Sequence, residues 1–96
     1  MAAYVVNEIW VSEPQRFATY AAQVPPTLAP FGGRYVVRSG ATEAIEGKPP
    51  GRIVILEFPD RAAALAWRAC AAYQAILPIR DATSTSRVYV VDGYEA

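Results

Sequence analysis

Between Arg52 and Phe58 the chain reads RIVILEF, an apolar run interrupted by one carboxylate and ended by Pro59-Asp60. Beyond Asp60 the apolar residues no longer crowd together. Ala62, Leu65, Ala66, Ala69, Tyr73 and Ile76 recur at helical spacing, so a strand passes into a helix within two residues. A strand that is apolar on both faces must be covered on both faces. In a chain of 96 residues this constrains the fold more than any other feature. One cover can come from the chain's own helices, and the other must come from elsewhere.

The remaining elements follow from the same patterns. Tyr4 to Val11 is rich in β-branched and aromatic residues and reads as a first strand. Ser12-Glu13-Pro14-Gln15 has the form of a capping box with proline in the first turn. Phe17, Tyr20, Ala21, Val24 and Leu28 form the apolar stripe of the helix that follows, which Pro25-Pro26 must interrupt. Gly32-Gly33 closes it. Arg34 to Arg38 is a second strand, and residues 39–51 form a loop with a short strand expected around Ala44 to Glu46. After the strand Arg52 to Phe58, Asp60 serves as N-cap of the second helix, and Pro78 is expected to stop it at Leu77. Ser84 to Ser86 reads as a polar turn, and Arg87 to Asp92 as the last strand.

The order β-α-β, loop, β-α-β defines a ferredoxin-like α+β fold, an antiparallel sheet with two helices on one face. The chain is expected to form a single domain over residues 1–96. The helices leave one sheet face bare. Val5/Ile9, Val37, Ile53/Ile55 and Val91 alternate with Val6/Trp10, Val36, Val54/Leu56 and Val88/Val90, so neither side is polar enough for water. Hydrophobic residues make up 53% of the chain and charged residues 19%, a greasy balance for its length. A homodimer with the two sheets face to face is the expected assembly.

Composition also excludes function classes. Nine basic residues balance nine acidic ones, which argues against a nucleic-acid or membrane-surface partner. The lone Cys70 cannot form an internal disulfide and suggests a reducing compartment. With no leader-like segment and no apolar run long enough to span a bilayer, a cytoplasmic location is expected. Histidine is absent. That removes Ser-His and Cys-His nucleophile pairs, histidine-ligated haem and the usual zinc and non-haem iron sites, so no metal or cofactor is expected.

The ordered set of local patterns resembles the bacterial family called domain of unknown function 1330, within the dimeric α/β-barrel superfamily. The matching pieces are Val24 to Ala29, Phe31-Gly32-Gly33-Arg34-Tyr35, Arg38-Ser39-Gly40 and Glu46-Gly47, then Arg52 to Pro59, Ala66-Trp67, Tyr73-Gln74 and Arg80. The resemblance implies a ferredoxin-like subunit whose sheet packs on a second copy, and it implies no activity. Wider relatives on this fold include cofactor-free monooxygenases, lactone isomerases and ligand-binding domains, many with a cleft between sheet and helices. One departure is plain: Cys70-Ala71-Ala72 stands where such proteins usually have a Ser-Pro-Glu-like turn. Without those capping residues the helix is expected to run straight through.

Candidate site residues come from polar groups in apolar settings. Glu57 shares a strand face with Ile53 and Ile55, where a carboxylate is costly unless paired. It is either an acid/base or ligand anchor, or half of an ion pair with Arg38, Arg34 or Arg80. Arg38 and Arg80 could clamp an anionic ligand, or serve only to satisfy nearby carboxylates and carbonyls. Tyr20, Trp67 and Tyr73 suit the walls of an apolar pocket, although Tyr20 and Tyr73 also sit on core stripes. Asn7, the one amide in the first strand, points into a cleft or toward the partner subunit. Cys70 has no histidine to activate it and is not a nucleophile candidate. Two readings stay open: a metal- and haem-free enzyme acting on a small anionic or aromatic molecule with Glu57 as acid/base, and a non-catalytic ligand-binding or structural homodimer.

Overall fold

The structure, a computed structural model, describes residues 1–95. Its elements are β1 (Ala3–Val11), α1 (Pro14–Gln23), α2 (Pro25–Leu28), a 3-10 turn (Ala29–Phe31), β2 (Arg34–Arg38), β3 (Arg52–Phe58), α3 (Arg61–Ala69), α4 (Ala71–Thr83) and β4 (Ser84–Asp92). The strands form one sheet in the order β2-β3-β1-β4, with every neighbouring pair antiparallel. The helices pack on a single face of this sheet. The fold is ferredoxin-like.

Several elements form where local chemistry puts them. Asp60 caps α3 by accepting a 2.8 Å bond from the Ala63 amide. The prolines after Val24 end α1 and open α2. Gly32 closes the helical segment with φ of 69°, the left-handed geometry that glycine adopts without strain. Asp60→Ala is expected to cost about 1 kcal/mol, measurable as a lower urea midpoint with an unchanged slope.

Other elements differ from the sequence reading, each for a tertiary reason. The Ser12 side chain does not cap α1, whose N-cap is Glu13 with no side-chain bond. Ser12 Oγ instead donates to the Thr83 carbonyl at 3.0 Å, tying the start of α1 to the end of α4. The second helix does not run straight through: Cys70 adopts extended backbone, and α3 and α4 meet at a bend of 70°. α3 buries Ala64 and Trp67, whereas α4 buries Tyr73, Ile76, Arg80 and Thr83. Ala62, Leu65, Ala66 and Ala69, expected on the core stripe, are exposed. α3 lies on the sheet while α4 lies mainly on α1, and one straight stripe could not face both partners. Pro78 sits inside α4 and does not end it. Ser84 to Ser86 begin β4 instead of forming a turn, and Ala44 to Glu46 form no strand.

The register settles which residues share a face. Val5 lies opposite Leu56 and Val90, and Asn7 opposite Val54 and Val88. The helix-covered face therefore joins Val5, Asn7 and Ile9 to Val54, Leu56, Val88 and Val90. Ile53 and Ile55 fall on the open face with Val6, not with Val5 and Ile9. That open face also carries Tyr4, Glu8, Trp10, Glu57, Tyr89 and Val91, and Trp10, Tyr89 and Val91 are each more than 40% exposed. No single helix among the described residues is long and apolar enough to cross a membrane.

Candidate functional site

A cavity of about 60 Å³ lies between the helix-covered sheet face and α1. Its floor is Asn7 and Ile9 of β1 with Val54 and Leu56 of β3; Tyr20, Ala21 and Val24 close one side, and Trp67 another. Tyr35, Arg38, Ser39 and Arg52 border it along β2 and the start of β3. Alternation places these residues together: Arg52, Val54 and Leu56 are every second residue of β3.

Each polar group is held in place. Asn7 is 6% exposed, and its Nδ2 donates to the Val54 carbonyl at 3.1 Å. This bond orients the amide, since a carbonyl must face the nitrogen, and it leaves Oδ1 as an acceptor. The Trp67 indole Nε1 donates to Thr27 Oγ1 at 2.9 Å, and that hydroxyl in turn donates to the Val24 carbonyl at 2.7 Å. Tyr20 and Tyr73 share a 2.7 Å hydroxyl–hydroxyl bond. Arg80 Nη1 donates to the Tyr73 hydroxyl at 3.4 Å, so a guanidinium and two phenols form one polar chain. Arg80 is itself buried, its Nη2 lies 3.4 Å from Asp81 Oδ1, and its Nε has no partner among the described residues.

Burial pushes the Tyr20 phenol well above the ordinary tyrosine value, and the neighbouring Tyr73 hydroxyl adds to the rise. Tyr35 is also raised by burial, with the Arg38 guanidinium above its ring acting in the opposite direction. A raised phenol pKa means that the folded state holds its proton more tightly than the unfolded chain. The stability this confers is complete below pH about 10 and is lost as pH rises beyond it. Thermal unfolding followed from pH 8 to pH 11 is therefore expected to show a falling Tm at the alkaline end, with a shallower fall in Tyr20→Phe.

The sequence-derived candidates divide into three places. Asn7, Tyr20, Trp67 and Arg38 line the cavity. Tyr73 and Arg80 stand behind Tyr20 and reach the cavity only through its hydroxyl. Glu57 lies on the open sheet face, across the sheet from the cavity. There it is ion-paired with Arg34 and accepts a 3.1 Å bond from the Tyr4 hydroxyl, a bond that raises the Tyr4 pKa. Glu8 on the same face accepts from Arg87 at 3.0 Å and from Tyr89 at 2.8 Å. Arg52 and Tyr35 were not anticipated as cavity residues. Period-2 alternation from Leu56 would have placed Arg52 on the cavity face, but only the β2–β3 register brings Tyr35 to the same spot.

Residues 2–94 match the model of a family described as Domain of unknown function (DUF1330), and the chain belongs to that family. No curated protein matches the chain. Among solved structures, a protein of unknown function from Rhodopseudomonas palustris, RPA0582, superposes with a TM-score of 0.81 at 16% identity, covering 99% of this chain and 84% of its own. SnoaB, a cofactor-independent oxygenase from Streptomyces nogalater, superposes at 0.73 and 20% identity over 99% of this chain and 95% of its own. A dimeric ferredoxin-like protein of unknown function from Jannaschia sp. CCS1 gives 0.70 and 14% identity over 97% of this chain and the whole of its own. At these identities the likeness is one of fold.

Proposed function

We propose that this protein binds a small molecule in the cavity between sheet and helices, and that it works as a homodimer through the open sheet face. The observation that carries the first part is the convergence of Asn7 and Tyr20 in a mainly aliphatic and aromatic wall, with Arg38, Ser39 and Arg52 at its border. Few, well-placed polar groups in an apolar concavity are the usual make-up of a ligand site. Glu57 belongs in this reading to the subunit interface, where Arg34 and Tyr4 neutralise it. Chemistry inside the cavity draws on Tyr20, Asn7, the bordering arginines and the ligand's own reactivity.

The dimer reading draws on the apolar residues of the open face and on its two carboxylates, each already satisfied within the subunit. Charges paired in this way can be buried without stranding either partner. The subunit is a slab 36 × 34 Å across, so one covered face can exceed the ~800 Å² per partner of a standard interface. The Jannaschia protein of the same fold is described as dimeric.

Ala21 lines the cavity from a half-buried position on α1, so the large ring of Ala21→Trp should obstruct the space. In a thermal-shift screen of small carboxylates, amides and phenols, the wild type is expected to gain stability with a subset and Ala21→Trp with none. Equal shifts in both proteins would refute the site. A catalytic version of the reading, oxygen chemistry without a cofactor as in the description of SnoaB, draws on Asn7, Tyr20 and Trp67 meeting at one cavity. Oxygen uptake with a ligand from that screen would favour it, and binding without consumption would favour the non-catalytic version.

A further inference from the structure

The identity of the ligand's charged group can be taken further, on the footing of the small-molecule site just proposed. Two guanidiniums border the cavity, and among the described residues no carboxylate lines it. Arg38 of β2 lies opposite Val54. Arg52, two residues before Val54 on the same strand face, is therefore Arg38's diagonal neighbour across the ladder, a spacing long side chains can bridge. Neither arginine makes an ion pair among the described residues. Acids and bases balance over the chain, and the loop joining the two strands carries Glu43 and Glu46, yet neither guanidinium is neutralised among the described residues.

Both are held against aromatic rings instead. The Arg38 guanidinium carbon lies 4.4 Å from the Tyr35 ring centroid, and that of Arg52 lies 4.9 Å from the Phe17 centroid. A guanidinium resting on a ring face loses freedom of rotation while its in-plane N–H edge stays available for a bidentate acceptor. Two such forks at diagonal positions on one cavity rim, with no counter-ion among the described residues, set up a positive field that favours an anion between them.

We propose that the cavity takes a small carboxylate, its head group bridging Arg38 and Arg52 and its apolar body directed inward toward Tyr20. The flat carboxylate matches the flat forks edge to edge. A space of about 60 Å³ is smaller than the ~150 Å³ of a cavity that encloses benzene, so only a few heavy atoms pass inside. A body with an oxygen near its inner end meets the Tyr20 hydroxyl.

Isothermal titration with propanoate, butanoate and crotonate, each beside its neutral amide, tests the assignment on the wild type, Arg38→Gln, Arg52→Gln and Ala21→Trp. Each acid is expected to bind about tenfold tighter than its amide in the wild type, and the preference should weaken as salt is added. Either glutamine variant should remove the preference and leave amide binding unchanged. Arg38 is exposed, so Arg38→Gln decides the matter even where Arg52→Gln fails to fold. Ala21→Trp should bind neither acid nor amide. Acids and amides binding equally well would overturn the carboxylate assignment and leave the small-molecule site standing. Binding of neither would overturn both. Inorganic phosphate, which has no apolar body, should bind more weakly than the acids; phosphate binding as tightly, and unaffected by Ala21→Trp, would mean a surface anion contact and would overturn the assignment.

Discussion

Val6→Asp is expected to turn a dimer into a monomer. Val6 is at the middle of β1, one of the two central strands, opposite Ile55 on one side and Tyr89 on the other. All three residues lie on the open face. In a lone subunit the new carboxylate would face water and cost little. Between two sheets it would be desolvated without a partner, because Arg34 and Arg87 are already engaged by Glu57 and Glu8. An unpaired buried charge costs several kcal/mol, so the dissociation constant should rise by about a thousandfold or more. Sedimentation at micromolar concentration should give a dimer for the wild type and a monomer, folded by circular dichroism, for Val6→Asp. A wild type that sediments as a monomer, or a Val6→Asp protein that stays dimeric, contradicts the face-to-face assembly.

The largest effect on stability is expected from Trp67→Ala. Trp67 is 2% exposed, with its ring centroid 4.3 Å from that of Tyr73 and 5.5 Å from that of Phe58. It joins α3 to the sheet at Phe58 and to α4 at Tyr73, across the bend at Cys70. Its Nε1 bond to Thr27 ties in α2 as well. Truncating a buried Trp costs about 3–5 kcal/mol, a large share of the roughly 5–15 kcal/mol that stabilises a typical domain. Trp67→Phe keeps much of the ring contact and gives up the hydrogen bond to Thr27, so it should cost about 1–2 kcal/mol. Urea unfolding at one fixed protein concentration measures both, since association alone would shift the midpoint. A loss below about 1 kcal/mol for Trp67→Ala would mean that this junction does not hold the helices together.

Local signals carried most of the architecture. Residues 34–38 and 52–58 form strands with the bounds that composition indicates, and Asp60 and Gly32 act at the helix ends where their chemistry suits them. The break at Cys70 was hidden because its cause is tertiary. α3 must face the sheet and α4 must face α1, and no capping serine or proline advertises the change of direction. Trp67, absent from the straight-helix stripe of Ala62, Leu65, Ala66 and Ala69, is buried on the bent helix.

The candidate site was legible in kind but not in position. Alternation within one strand says which residues share a side, and it cannot say which side of the neighbouring strand they join. That choice needed the register, which gathers Asn7, Arg38, Arg52 and Tyr35 at one cavity and sends Glu57 to the opposite face. The apolar strand marked Glu57 correctly as a carboxylate in need of a partner, and Arg34 was one of three arginines it could have found. Tyr73 and Arg80 share a helix face at positions 73 and 80, two turns apart, but whether they reach a ligand directly or through Tyr20 depends on how α4 crosses α1.

The cavity has a built-in reporter. The chain contains two tryptophans, Trp10 on the open sheet face and Trp67 in the cavity wall. In Trp10→Phe the remaining indole fluorescence belongs to Trp67 alone. Titrating that protein with crotonate or butanoate should give a saturable change in Trp67 emission. Emission that stays constant or drifts linearly with every acid and amide tried would contradict the claim that this fold encloses a small-molecule site.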